Sequence, residues 1–304
     1  MRSRYIPFLV FSAVVLLTHC GGQPAGEDSG PAAPAEQGPI AVETPPAEPT
    51  PPAGPISWTP ERAHEALRQS NPTYNGRALF QIEGNQVIAV QLTETGVTDL
   101  TPLQGMLLEA LDLRGVAVSD IGPLRGLPLR ELYLEGTSVE DLEPLRGMKL
   151  KTLYLGGTAV ADLGPLEGMP LASLNALGTK VTDLGPLRGM PLEFLWLNET
   201  PVSDISPLAD CPLVSLTLHR TQVEDLGPLI GSNLQRLHIG ETPVTDLTPI
   251  ANLQLTRLIF TPGRITRGID YARNMRSIRE IGPTFENRMN PARFWALYDQ
   301  GGLN

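Results

Sequence analysis

Leu129-Arg130-Glu131-Leu132-Tyr133-Leu134-Glu135-Gly136-Thr137-Ser138-Val139-Glu140-Asp141-Leu142-Glu143-Pro144-Leu145 holds the pattern that decides the fold. Its first half reads Leu-x-x-Leu-x-Leu, so that Leu132 and Leu134 point to one side of an extended chain and Tyr133 to the other: a short strand with inward leucines. Its second half reads Asp-Leu-x-Pro-Leu. Asp141 supplies a short side-chain acceptor just before a turn, where it can bond exposed N–H groups, and Pro144 fixes φ and prevents a long helix. The motif Asp-(Leu/Ile)-x-Pro-(Leu/Ile) begins at Asp99, Asp120, Asp141, Asp162, Asp183, Asp204, Asp225 and Asp246, always 21 residues apart with no insertion or deletion. A period of this length marks a stacked-repeat architecture, in which one unit cannot bury its apolar face alone and each neighbour completes its core. Eight or nine such units, strands paired in parallel, are expected.

The same residues carry a family resemblance. The chain resembles bacterial leucine-rich-repeat proteins of the short class, over about residues 59 to 300. That resemblance implies an α/β solenoid, a right-handed superhelix with a parallel sheet on its concave face, short turns or 3-10 segments on its convex face, and helical caps. Similar arrays occur on bacterial surface proteins and Ser/Thr kinases. Asn71-Pro72-Thr73-Tyr74-Asn75-Gly76 resembles the lead-in of such arrays, and Arg276-Ser277-Ile278-Arg279 with Phe294-Trp295 resembles their closing helical segment. The sequence departs from the family pattern after the strand, where the usual Asn is Thr at positions 95, 137, 158, 179, 200, 221 and 242, and Val at 116. A ladder of hydroxyls is thus expected to bond the turn backbone in place of amides.

Outside the repeats the chain divides into a leader (1–19), a tether (20–57), an N-terminal cap (58–92), the repeats (93–268) and a C-terminal helical cap (269–304). Arg2 and Arg4 precede an apolar run from Ile6 to Leu17 that is too short to span a bilayer. It ends in Leu17-Thr18-His19-Cys20-Gly21, which resembles the lipobox of bacterial lipoproteins although His19 stands where a small residue is usual. The resemblance implies cleavage before Cys20, acylation of Cys20 and a lipid anchor in the cell envelope, with Gly21 pointing to the outer membrane. An ordinary secretory peptide is the alternative. The Pro-, Ala- and acid-rich stretch that follows has almost nothing to bury and is expected to be a disordered, partly polyproline-II tether. Thr59-Pro60-Glu61 reads as an N-cap with Pro in the first helical turn, and Gly84-Asn85 as a turn between two strands. Cys211 occupies the place of Met148, Met169 and Met190, so it is expected to be a buried small hydrophobe.

A net charge of −10 argues against a nucleic-acid-binding surface. No phosphate loop, nucleophile elbow or zinc-protease motif is present, so neither enzyme activity nor a metal or other cofactor is expected. The informative positions are the outward ones on the strands. Between the inward leucines come Asp112, Tyr133, Tyr154, Asn175, Trp196, Thr217, His238 and Ile259; two residues earlier come Ala110, Glu131, Thr152, Ser173, Phe194, Ser215, Arg236 and Arg257. Tyr133, Tyr154, Phe194 and Trp196 form a stripe of the residue types that dominate protein interfaces. Arg236, His238 and Arg257, with His219 and Arg220, are expected to form a separate cationic end. The expected function is a membrane-tethered protein-interaction module; a carbohydrate-binding surface and a structural envelope spacer are the alternatives. At Leu174-Asn175-Ala176-Leu177 the small Ala176 sits where its neighbours carry Leu, leaving either a cavity or an inward shift of Leu177 through a bulge.

Overall fold

A computed structural model describes residues 57–303; the leader, Cys20 and residues 20–56 of the tether lie outside the described residues. The chain runs α1 (Pro60–Ser70), β1 (Leu79–Glu83), β2 (Gln86–Gln91), β3 (Ala110–Asp112), β4 (Glu131–Tyr133), β5 (Thr152–Tyr154), β6 (Ser173–Asn175), β7 (Phe194–Trp196), β8 (Ser215–Thr217), β9 (Arg236–Ile239), β10 (Arg257–Phe260), α2 (Ile269–Asn274), β11 (Glu280–Gly282) and α3 (Pro291–Asp299). All eleven strands lie in one sheet in sequence order. The first pair is antiparallel and those that follow are parallel.

Because the period never slips, the register never slips. Leu111, Leu132, Leu153, Leu174, Leu195, Leu216, Leu237 and Leu258 lie opposite one another strand after strand, and all are fully buried. Between strands, each Asp-Leu-x-Pro-Leu motif makes a single 3-10 turn, such as Glu143–Leu145. The aspartate accepts a hydrogen bond from the N–H two residues on, at 2.7 to 2.8 Å in all eight units. The threonine ladder faces the interior: Thr137 Oγ1 donates to the Leu134 carbonyl at 2.7 Å, and Thr158, Thr179, Thr200, Thr221 and Thr242 repeat the bond. A hydroxyl is thus satisfied locally, where an amide would need further partners.

Around Ala176 the register of β5, β6 and β7 is unbroken, Ala176 is buried and Leu177 stays exposed, so no bulge carries Leu177 inward. Cys211 is buried, with Sγ donating to the Leu187 carbonyl at 3.4 Å.

At the N-terminal end, Thr59 caps α1 and Ala63 and Leu67 bury its apolar side. The junction to the repeats rests on buried Asn71. Its Nδ2 donates to the carbonyls of Leu67 and Asp99 (3.1 and 3.0 Å), and its Oδ1 accepts from the N–H groups of Thr98 and Asp99 (both 2.8 Å). At the other end, β11 extends the sheet from within the segment expected to be a helical cap. Three residues, Glu280-Ile281-Gly282, carry no leucine period that would announce a strand. Buried Phe294 of α3 then packs on Phe260, ring centroids 5.7 Å apart.

Replacing Asn71 by Ala takes the side-chain partner from the Thr98 and Asp99 N–H groups and from the Asp99 carbonyl, while the Leu67 carbonyl keeps its backbone bond from residue 71. Asn71→Ala is expected to cost about 3 kcal/mol of stability, read as a lower urea midpoint by circular dichroism; an unchanged midpoint would show that the helical cap and the repeats are not joined through this side chain.

Candidate functional site

The outward side of the sheet carries three columns, one residue per strand in each. The first holds Glu131, Phe194 and Arg236, the second Tyr133, Tyr154, Asn175, Trp196, Thr217 and His238, and the third, two residues past the second, Arg114, Glu135, Gly156, Asn198, His219 and Gly240. The in-register stack brings the four aromatic residues into one cluster. Tyr133 and Tyr154 meet edge to face with centroids 5.2 Å apart, and Phe194 stacks on Trp196 at 6.2 Å. Tyr154 and Trp196 sit two strands apart yet meet at 5.8 Å. They close over Asn175, which lies opposite both in the register. Its amide is turned aside, accepting from the Leu177 N–H at 3.0 Å and donating to Glu135 Oε1 at 3.4 Å. That second bond crosses the intervening strand at Gly156, where a β-carbon would lie 3.5 Å from Glu135 Cγ.

Mutual packing leaves the four rings half-buried. A guanidinium caps the cluster on either side, Arg114 5.5 Å from the centre of the Tyr133 ring and Arg236 5.6 Å from that of Phe194. Tyr133 OH donates to Glu131 Oε2 at 2.9 Å. Burial first, and then that hydrogen bond to a carboxylate, push the Tyr133 phenol well above its ordinary range. Burial also raises the Glu135 carboxyl, outweighing the attraction of Arg114.

The ends of the stripe differ from the sequence expectation. Asp112, in register with Tyr133 on the outward side, is not exposed there: it is fully buried beneath Arg114 and held in a two-pronged ion pair, the Arg114 Nε and a terminal nitrogen donating at 2.9 and 2.6 Å. Ala110, Ser215 and Ile259 are buried too. The expected cationic end is largely neutralised. Arg257 pairs with Glu280, and Arg220 bonds Glu241 at 2.9 Å and Glu199 at 3.3 Å. His238 stacks on His219 at 4.8 Å, and burial followed by the His219 charge lowers its pKa to about 4, so it is neutral at pH 7. Residues 282–289 fold back so that Ile281 and Met289 exchange two backbone hydrogen bonds of 2.9 and 2.8 Å. Phe285 of this loop lies between the guanidiniums of Arg257 and Arg288, 5.4 and 4.1 Å from its ring centre.

Unpaired polar atoms concentrate on this same side. Among the described residues seven buried side-chain polar atoms lack a hydrogen-bond partner, and five of them, on Thr93, Glu135, Asn198, Thr217 and His238, belong to the outward columns. Folded chains leave few such atoms orphaned, since each costs about 1 to 3 kcal/mol.

No protein-family model and no curated protein matches the sequence. Among solved structures, the chain is similar to an internalin (inlF) from Listeria monocytogenes, with a TM-score of 0.58 and 25% identity over 77% of this chain and 73% of that one. It is also similar to an internalin C2 (inlC2) from the same organism, with a TM-score of 0.54 and 24% identity over 66% of this chain and 92% of that one. The chain is a leucine-rich-repeat solenoid.

Of the residues expected from the sequence, namely the four aromatics, Arg236, His238 and Arg257, the structure brings the aromatics and Arg236 together. The third column, above all Glu135 and Arg114, was not among them. The signal for it was the same two-residue alternation, continued one step past the last inward leucine of each strand. Among the described residues no group of three or more His, Cys, Asp or Glu is placed to hold a metal ion.

His238 makes the solenoid sensitive to acid. The unfolded chain takes up the imidazole proton near pH 6.5, the fold only near pH 4, so between these values the unfolded state binds more protons and stability falls as pH falls. The loss saturates below pH 4 at no more than about 3 kcal/mol. His238→Gln is expected to remove this part of the slope in urea melts taken at pH 7 and pH 4.5; equal slopes in the two proteins would refute the assignment.

Proposed function

We propose that the protein is a lipid-anchored interaction module of the bacterial cell envelope, tethered through Cys20 and docking a protein partner on the outward side of its sheet. The observation that carries this reading is the coincidence, on one side of one sheet, of a four-ring aromatic cluster and five orphaned polar atoms. Aromatic rings provide rigid apolar anchors, and the unpaired atoms provide hydrogen-bonding capacity that the fold itself does not use. Binding, with no chemical step, is the mechanism.

A second reading, carbohydrate binding, draws on the neighbouring Asn198 and Thr217, whose unpaired oxygens flank the Trp196 ring in sequence and register. Sugars stack on such rings and hydrogen-bond such acceptors. The shape of the cluster favours protein: Tyr154 meets both Tyr133 and Trp196 edge to face and the rings half-bury one another, and so present a ridged patch where a flat stacking platform would suit a sugar.

The test is a crosslinking capture in cells with the native protein and a Tyr133→Ala, Tyr154→Ala, Trp196→Ala variant that retains the native circular dichroism spectrum. The variant is expected to lose one specific protein from the eluate. An unchanged eluate would remove the sheet face as the docking site, and binding on a glycan array that depends on Trp196 would favour the carbohydrate reading.

A further inference from the structure

Around Glu135 the sheet face carries charge and rings in a particular order. The charged and titratable groups on the strands packed about it are Asp112 and Arg114 beside β3, Glu131 and Tyr133 on β4, and Tyr154 on β5; Asn175 on β6 supplies an amide. Three carboxylates therefore share one guanidinium, and that guanidinium is committed, its Nε and a terminal nitrogen both bonded to Asp112. Glu131 is likewise engaged, by the Tyr133 hydroxyl. Glu135 is the group left over. Its Oε1 has a single long bond to Asn175 at 3.4 Å, and its Oε2 is buried with no partner.

The rings tell the same story. The two outer members of the aromatic cluster each have a guanidinium against the ring, Arg114 at Tyr133 and Arg236 at Phe194. Tyr154 and Trp196, between them, have none among the described residues. A carboxylate short of a donor thus lies one strand away from a ring that lacks a cation, and both face the side from which a partner would approach. Buried carboxylates are stable when paired, and cations over Tyr or Trp gain most when water is excluded. The absence of a side chain at Gly156 lets the Glu135 carboxyl and the Asn175 amide meet over that strand, and their bond, at 3.4 Å, is the single long contact that holds the carboxylate there.

The geometry points to Glu135 and Tyr154 as a subsite for one basic side chain, arginine or lysine, of the docked protein, the charged head pairing with the Glu135 carboxylate in place of its long bond to Asn175 while its stem lies on the Tyr154 ring. This rests on the docking-face reading above and sharpens it: the partner segment presents an exposed cation next to its apolar contacts. Burial already raises the Glu135 carboxyl, and a cation arriving there offsets that penalty and favours the ionised form.

The full chain should be titrated with N-acetyl-argininamide and with N-acetyl-citrullinamide, which has nearly the same shape and no charge, while the Tyr154 ring and the Glu135 carboxyl carbon are followed by NMR. The arginine amide is expected to shift both signals and to bind about tenfold more tightly than the citrulline amide. Glu135→Gln, which keeps size and fold, should abolish that preference, whereas Glu140→Gln on an exposed turn should keep it. Equal binding of the two amides, or an undiminished preference in Glu135→Gln, overturns the assignment. The docking face is judged separately by whether the triple aromatic variant loses its partner, so a failed amide titration beside a lost partner sinks the cation subsite alone.

Discussion

Everything in this protein hangs on the stacking of one strand on the next in strict register. A turn of 21 residues has too little apolar surface of its own to hold an extended chain, a threonine loop and a 3-10 turn in place. Stacked, each turn lends its neighbour a wall: the inward leucines form continuous columns with no exposure at all, and the strand N–H and carbonyl groups are paired on both sides. The aspartate of each unit, and the threonine of every unit but the one with Val116, then need only local partners, where an interior network would have had to be rebuilt in every turn.

The constraint that orders the inside also orders the outside. A register that places leucine over leucine must place Tyr133 beside Tyr154 and Asn175 beside Trp196. The small Asn175, its amide bonded sideways to Glu135 and the Leu177 N–H, lets two rings from non-adjacent strands touch, so a row of side chains becomes a compact patch. The patch is bounded by interactions that close it off: the Asp112–Arg114 pair toward the N-terminus, and the Phe285 loop with its guanidiniums toward the C-terminus. Between these bounds lie the buried, unpaired oxygens of Glu135, Asn198 and Thr217.

Beside the sheet, the residue that turns the chain out of each strand changes character along the array. In the first turn it is Glu94, at φ 57°, and in the next four it is glycine with positive φ, as at Gly136 and Gly157; later Glu199, Arg220 and Glu241 take the same left-handed conformation at φ 56 to 59°. Side chains there carry a strain of order 1 kcal/mol each. The alternating charges Glu199, Arg220 and Glu241 bond in sequence along the edge, a gain that glycine could not provide.

The repeat length, the inward leucines, the turn chemistry of Asp, Pro and Thr, the capping of α1 at Thr59 and the outward aromatics were all legible in the amino-acid order, because each depends on neighbours within one period or on the same position one period away. What could not be read depends on contacts with no fixed spacing. Asp112 looked like a surface acid until Arg114 was seen to clasp it and bury it; the arginines of the last turns looked free until Glu280 and Glu241 were found against them. The strand Glu280–Gly282 lacks the leucine pattern and forms only because β10 offers an edge to pair with. His238 reads as a cation in sequence and is neutral in the fold, since its charge is set by burial and by a second imidazole 4.8 Å away. Periodicity is a property of the chain, whereas desolvation and charge pairing are properties of the space that folding encloses, and only the folded arrangement assigns them to particular side chains.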